Sequence, residues 1–142
     1  MIVPDVNLLL YANISAFPQH DQARVWWEGL LNGREEVGLT APAIFGFLRI
    51  ATNRRVFDPP MGLADAAGRV RAWLERPQVR FMVPGPKHLG VALRLLEDVG
   101  AAGNLTTDAL LAAYAIEVQG TVHSNDTDFG RFSGLRWVNP LG

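Results

Sequence analysis

Four aspartates in three separated clusters carry the clearest chemical signal of this chain. Asp5 follows Ile2-Val3-Pro4, Asp108 follows Asn104-Leu105-Thr106-Thr107, and Asp126 and Asp128 sit within Ser124-Asn125-Asp126-Thr127-Asp128-Phe129. Carboxylates brought together repel one another and resist desolvation. A fold that gathers several in one cleft suits a hard divalent cation, which prefers oxygen ligands. The matching chemistry is phosphodiester hydrolysis. That reaction needs an activated water and stabilisation of charge on the phosphoryl group, and a bound metal supplies both. Asp5, Asp108 and Asp126 are the expected ligands of Mg²⁺ or Mn²⁺, with Asp128 as a second ligand or a water-positioner. Asn7 and Ser124 are the expected donors that orient these carboxylates, and Thr107 is a weaker one. Each acid also has a simpler reading. Asp108 suits the positive end of a helix, Asp126 and Asp128 suit a turn, and Asp5 suits a cap shared with Asn7.

These residues need elements to place them. Residues 2–3 read as a strand that ends at Pro4-Asp5, and Asn7 as the cap of a short helix over 8–11. Apolar periodicity predicts helices over 21–31, 44–52, 63–74 and 88–99, the second opened by Pro42. The fourth is expected to pack through Leu89, Ala92, Leu93 and Leu96. A further helix, capped by Thr106 or Thr107, runs to about Gln119. Strands are expected at 37–40, 79–83, 121–124 and 135–138, with a single turn over 128–132. Strands alternating with helices predict an α/β fold, a central parallel sheet of four to five strands flanked by helices. No linker or repeat divides the chain, so residues 1–142 read as a single domain. In open parallel sheets, ligands sit beyond the carboxyl ends of the strands. Asp5 and the Asp126/Asp128 pair follow such ends.

Composition narrows the function classes. Of 142 residues, 49% are hydrophobic and 19% charged, which excludes a disordered chain. There is no cysteine, so thiolate metal sites and cysteine nucleophiles are excluded. The formal net charge of −1 argues against broad electrostatic binding to nucleic acid, but not against a local basic rim. No secretion signal is visible and the apolar run over 6–11 is too short to span a bilayer, so a cytoplasmic protein without membrane contact is expected. His20, His88 and His123 lack metal-ligand spacing, and no phosphate-binding glycine loop is present. Glu117 lies nine residues beyond Asp108, half a turn away on a helix, and is expected to face solvent or a partner. Trp26, Trp27 and Trp73 read as core residues, with a groove for a partner as the other reading.

The motifs together resemble the PIN-domain ribonucleases, and among them the VapC toxins of bacterial toxin–antitoxin pairs. The resemblance covers nearly the whole chain. It rests on Asp5-Val6-Asn7-Leu8-Leu9-Leu10-Tyr11-Ala12, Phe47-Leu48-Arg49-Ile50-Ala51-Thr52-Asn53, Asn104-Leu105 with Asp108-Ala109, and Ser124 through Phe129. The ending, with Phe132, Gly134-Leu135-Arg136-Trp137 and Asn139-Pro140-Leu141, is similar to a mycobacterial-type branch. The resemblance implies a PIN-like domain, Mg²⁺- or Mn²⁺-dependent cleavage of RNA, a homodimer, and inhibition by a cognate VapB antitoxin. Transfer RNA, ribosomal RNA and messenger RNA all suit as substrate. Asp5, Asp108 and Asp126 match the family's acidic metal positions, and Asp128 the adjoining one. Arg49, Arg54 and Arg55 are the candidates for RNA phosphates, with surface ion pairing as the alternative.

One position departs from the family. Many PIN domains carry a glutamate just before the Phe-Leu-Arg segment, and here that position is Gly46. A site with fewer carboxylates is expected to bind metal more weakly. The alternative function is therefore a catalytically weak or inactive PIN module that binds RNA or a protein. A phosphotransferase with Asp5 as nucleophile is a third, disfavoured by Asn7 where that chemistry needs a second aspartate.

Overall fold

The computed structural model describes residues 1–142. Five short strands form one parallel sheet: β1 (Ile2–Pro4), β2 (Val37–Leu39), β3 (Val79–Phe81), β4 (Thr121–His123) and β5 (Arg136–Val138). Their order is β3-β2-β1-β4-β5. The chain thus starts at the centre, builds outward through β2 and β3, then returns to the other side of β1. The switch in direction falls between β1 and β4, which is where such sheets open a crevice.

Six helices cover the sheet: α1 (Val6–Asn13), α2 (His20–Leu31), α3 (Ala41–Ala51), α4 (Leu63–Leu74), α5 (His88–Val99) and α6 (Leu105–Glu117). A 3₁₀ turn spans Thr127–Arg131. Side chains alternate across a strand, and the two faces of the sheet bury two cores. Val37 and Leu39 of β2 join Leu9, Trp27, Phe47 and Trp73 under α1 to α4. Val3 and Val122 join Leu95, Leu111, Tyr114 and Phe129 under α5, α6 and the 3₁₀ turn. The side chains of Met82 and Met1 fill the space beside Gly38, between Val37 and Leu39. Trp27 and Trp73 are fully packed edge to face, so the core reading holds for both. No helix is long and apolar enough to cross a membrane.

Local chemistry sets the helix starts, and those of α1, α3 and α6 differ most from expectation. Asp5, not Asn7, caps α1: its Oδ1 accepts the Val6 N–H at 2.7 Å, so the helix begins one residue before Asn7. α3 begins at Ala41 because Thr40 Oγ1 accepts the Ala43 N–H at 3.2 Å, with Pro42 in its first turn. α6 begins at Leu105, so Thr106 and Thr107 lie inside its first turn and neither caps it. On α5 the expected face is also displaced. Ala92 and Leu95 are buried, while Leu89 and Leu93 are 68% and 49% exposed. The apolar stripe of that helix is wider than the surface it covers.

Candidate metal centre

The acidic residues meet at the switch between β1 and β4. The Asp5 N–H donates to the His123 carbonyl at 2.9 Å, so the parallel pairing of β1 with β4 carries on into Asp5 and sets it beside Ser124. Ser124 is fully buried and joins the segments. Its Oγ donates to Asp5 Oδ2 at 2.7 Å and accepts the Asp126 N–H at 2.9 Å and the Asn7 side-chain amide at 3.3 Å. Asp126 Oδ1 in turn accepts the Asp128 N–H at 2.9 Å and so caps the 3₁₀ turn. α6 brings Asp108 from its first turn to the same place. Carboxylate oxygens of Asp108, Asp126 and Asp128 come within 4.8 Å of one another.

Crowding and burial both show in the proton equilibria. Desolvation pushes the Asp108 carboxyl up to about 7, and the charges of Asp5, Asp126 and Asp128 add to the rise. Asp5 is raised as well, chiefly by burial and further by Asp126, against the lowering effect of its bonds to Ser124 and Val6. The nearest basic partner is Arg131, whose Nη1 stands 4.0 Å from Asp128 Oδ1 on the exposed side. Four carboxylates face each other with one distant arginine to offset them.

The donor set fits a hard divalent cation. Three carboxylates lie within reach of one ion, and a cation among them would relieve the repulsion that lifts Asp108. A second observation agrees. The side-chain oxygen of Asn7 is buried without any hydrogen-bond partner. A buried acceptor left alone is costly, and a water bound to an ion there would supply a donor for it. Asp5 is outside the group of three. Each of its oxygens accepts one hydrogen bond, from Val6 and from Ser124, and retains a second lone pair for a cation.

The other expected site residues divide. Asn7 and Ser124 do touch the acidic network, and through each other. Thr107 is exposed and bonds to no carboxylate, because it sits one residue before Asp108 on the helix surface. It lines a small crevice with Asp5, Val6 and Pro42 instead. Arg49, Arg54 and Arg55 are all exposed, and none enters an ion pair, which removes the pairing alternative. Arg49 lines a groove with Gly46 and Thr107. Arg54 and Arg55 lie beyond the far end of α3, roughly 14 Å of helix from Pro42.

Two residues were misjudged or missed. Glu117 does not face solvent. Its side chain is 13% exposed, its Oε1 accepts the Gly85 N–H at 3.2 Å and lies 3.5 Å from His88 Nδ1. It ties the loop before α5 to the end of α6. The half-turn offset from Asp108 was right, but α5 covers that side. Phe45 was not singled out, although it precedes Arg49 by one helical turn on the same face. It is 65% exposed beside the groove that holds Arg49.

Known proteins share this fold. The family model for the PIN domain matches residues 2–135. The chain is 55% identical over 141 residues to ribonuclease VapC33 of Mycobacterium tuberculosis, covering 99% of both chains. Among solved structures, VapBC2 of Rickettsia felis, bound to a DNA fragment from its promoter, superposes with a TM-score of 0.70 at 19% identity, over 98% of each chain. VapC20 of Mycobacterium tuberculosis, a sarcin-ricin-loop-cleaving toxin, superposes with a TM-score of 0.67 at 17% identity, over 96% of this chain and 99% of its own. The fold, the full-length identity and the family match together place this chain in the PIN-domain family, among the VapC ribonucleases.

Proposed function

We propose that this protein is the toxin of a type II toxin–antitoxin pair, an endoribonuclease that uses Mg²⁺ or Mn²⁺ to hydrolyse RNA. One observation carries the reading. Asp5, Asp108, Asp126 and Asp128 come from three distant segments to the switch point of a parallel sheet, and Asp108 is raised to about 7 by burial and, after it, by the charges of the other three. A divalent cation offsets the repulsion in such a cluster.

Asp108, Asp126 and Asp128 would hold the ion, which lowers the pKa of water and polarises a phosphate oxygen when bound. The chain's own residues do the positioning. Ser124 fixes Asp5 from one side and the Val6 amide from the other, so that carboxylate keeps one orientation. The same hydroxyl holds the Asp126 backbone, so the loop after β4 cannot drift away from β1. Asn7 leaves one oxygen free to accept a hydrogen bond from a water at the centre. Arg49, exposed and unpaired, is placed to hold an RNA phosphate. The solved neighbour from Rickettsia is a toxin with its antitoxin, and a VapB-type antitoxin and a homodimeric toxin are the partners that follow for this chain. A second reading, a PIN module that binds without cutting, draws on Gly46 in place of the usual acid.

Cleavage of total cellular RNA by purified, antitoxin-free protein separates the two. Discrete fragments are expected with Mn²⁺ or Mg²⁺, none with chelator, and none from Asp5→Asn. A folded sample that cuts nothing with either metal would favour the binding module.

A further inference from the structure

The groove beside the acidic centre has features that the metal chemistry does not use. It encloses about 680 Å³ between α3, the start of α4 and α6. Phe45, Leu63, Gly46, Arg49, Thr52 and Thr107 line it. Pro42 and Thr107 also line the small crevice that contains Asp5, so the groove borders the centre. Gly46 lies on the groove wall, and a side chain there would start 3.1 Å from Val6, the residue that follows Asp5.

Phe45 and Leu63 are exposed by 65% and 67%, a poor arrangement for a soluble surface unless something covers them. The charge beside them limits what that is. Arg49 stands one helical turn from Phe45 on the same face and has no anionic partner in the chain. A flat aromatic face next to an unpaired guanidinium, with Thr52 at the end of the same helix and Thr107 across the groove on α6, matches one repeating unit of single-stranded RNA. The base stacks, the phosphate meets the arginine, and hydroxyls reach the base edge.

We infer that this groove is a nucleotide subsite for single-stranded RNA, in which Phe45 stacks on a base flanking the scissile phosphate and Arg49 holds the adjoining phosphate. The inference rests on the nuclease reading and deepens it. It assigns substrate positioning to Phe45, one residue before the position that carries an acid in many relatives of the fold.

The test uses the full chain in an Asp108→Asn background, so that RNA is bound without being cut. The probe is a short, fluorescently labelled single-stranded RNA of mixed sequence. Phe45→Ala is expected to weaken binding about five- to a hundredfold, the loss of one stacked base, and Phe45→Trp to retain it. Phe45→Leu keeps apolar bulk without an aromatic face and is expected to behave like Phe45→Ala. Arg49→Ala is expected to weaken binding and to flatten its dependence on salt. Phe45 is exposed, so these variants should keep the wild-type circular dichroism spectrum. Unchanged binding by Phe45→Ala overturns the subsite. So does a Phe45→Ala variant that changes from dimer to monomer in sedimentation, since the face is then a contact between subunits. A Phe45→Leu variant that binds like wild type also overturns it, because bulk and not stacking is then what counts. Failure of the nuclease reading looks different: wild-type protein cuts no RNA with either metal.

Discussion

The two ends of α6 each carry a partly buried carboxylate, and the two have opposite surroundings. Asp108, in the first turn, faces Asp5, Asp126 and Asp128 and is pushed up to about 7. Glu117, at the last turn, accepts an amide from Gly85 and stands 3.5 Å from His88. A helix N-terminus favours an anion and a C-terminus does not. The backbone alone would thus make Asp108 the comfortable acid and Glu117 the strained one. Side-chain neighbours reverse that order. Glu117 is satisfied by the protein itself and acts as a tether. Asp108 is left with a deficit that only something from outside can fill. A carboxylate becomes functional here through what the fold withholds from it.

The largest test of this contrast is catalytic. Asp108→Asn removes a proposed ligand and should lower metal-dependent RNA cleavage by at least about a hundredfold, in line with the weight of metal-activated water in hydrolysis. Glu117→Gln should leave cleavage within a few-fold of wild type, measured on the same RNA at saturating metal. Equal losses in both variants would break the comparison.

A thermal-shift titration sharpens it. Mn²⁺ should raise the melting temperature of the wild type, since a ligand that binds only the folded state stabilises it by mass action. Asp108→Asn should show a clearly smaller shift, and Glu117→Gln the same shift as wild type from a lower starting point. That lower start reflects a weakened bond to the Gly85 amide, at about 1 kcal/mol.

The smallest expected effect concerns pH. The Asp108 carboxyl is raised in the folded state, from an ordinary 3.8 to about 7. The folded protein therefore binds more protons than the unfolded chain in that window, and stability without metal should fall as pH rises from about 4 to 7. Asp5, also raised, has the same sign. His123 opposes them. Burial lowers its pKa, so it subtracts stability as pH falls below its ordinary 6.5. Asp108→Asn removes one of these contributions and leaves the others. The metal-free melting temperature of that variant should decline less steeply with pH than that of wild type.

Much of this could be read from the chain, and the failures share a cause. Helix spans such as Leu63–Leu74 and His88–Val99 follow from periodicity, because an apolar stripe must be buried somewhere. The acidic set followed from residue type and from the rule that ligands collect at strand ends. What the sequence did not give was who stands next to whom. The register of α6 against α5 decides that Glu117 is buried, and no local pattern reports it. The width of the α5 stripe says nothing about how much of it is covered, which is why Leu89 and Leu93 were misplaced. Asn7 was assigned a cap because asparagine favours that position. Asp5 took it instead, since the end of β1 already fixes its backbone.

The strand order has a consequence for the making of the protein. β1 is the first strand synthesised and the central one of the sheet, and its partner β4 arrives only at Thr121–His123. Asp126 and Asp128 come later still. A chain emerging from the ribosome therefore presents Asp5 long before Asp108, Asp126 and Asp128, and the acidic centre stays incomplete while the elements from β1 to β4 are being made. Pairings this distant in sequence also form slowly. For an enzyme that acts on RNA, this order sets the assembly of its carboxylates late relative to the strand that first supplies one of them.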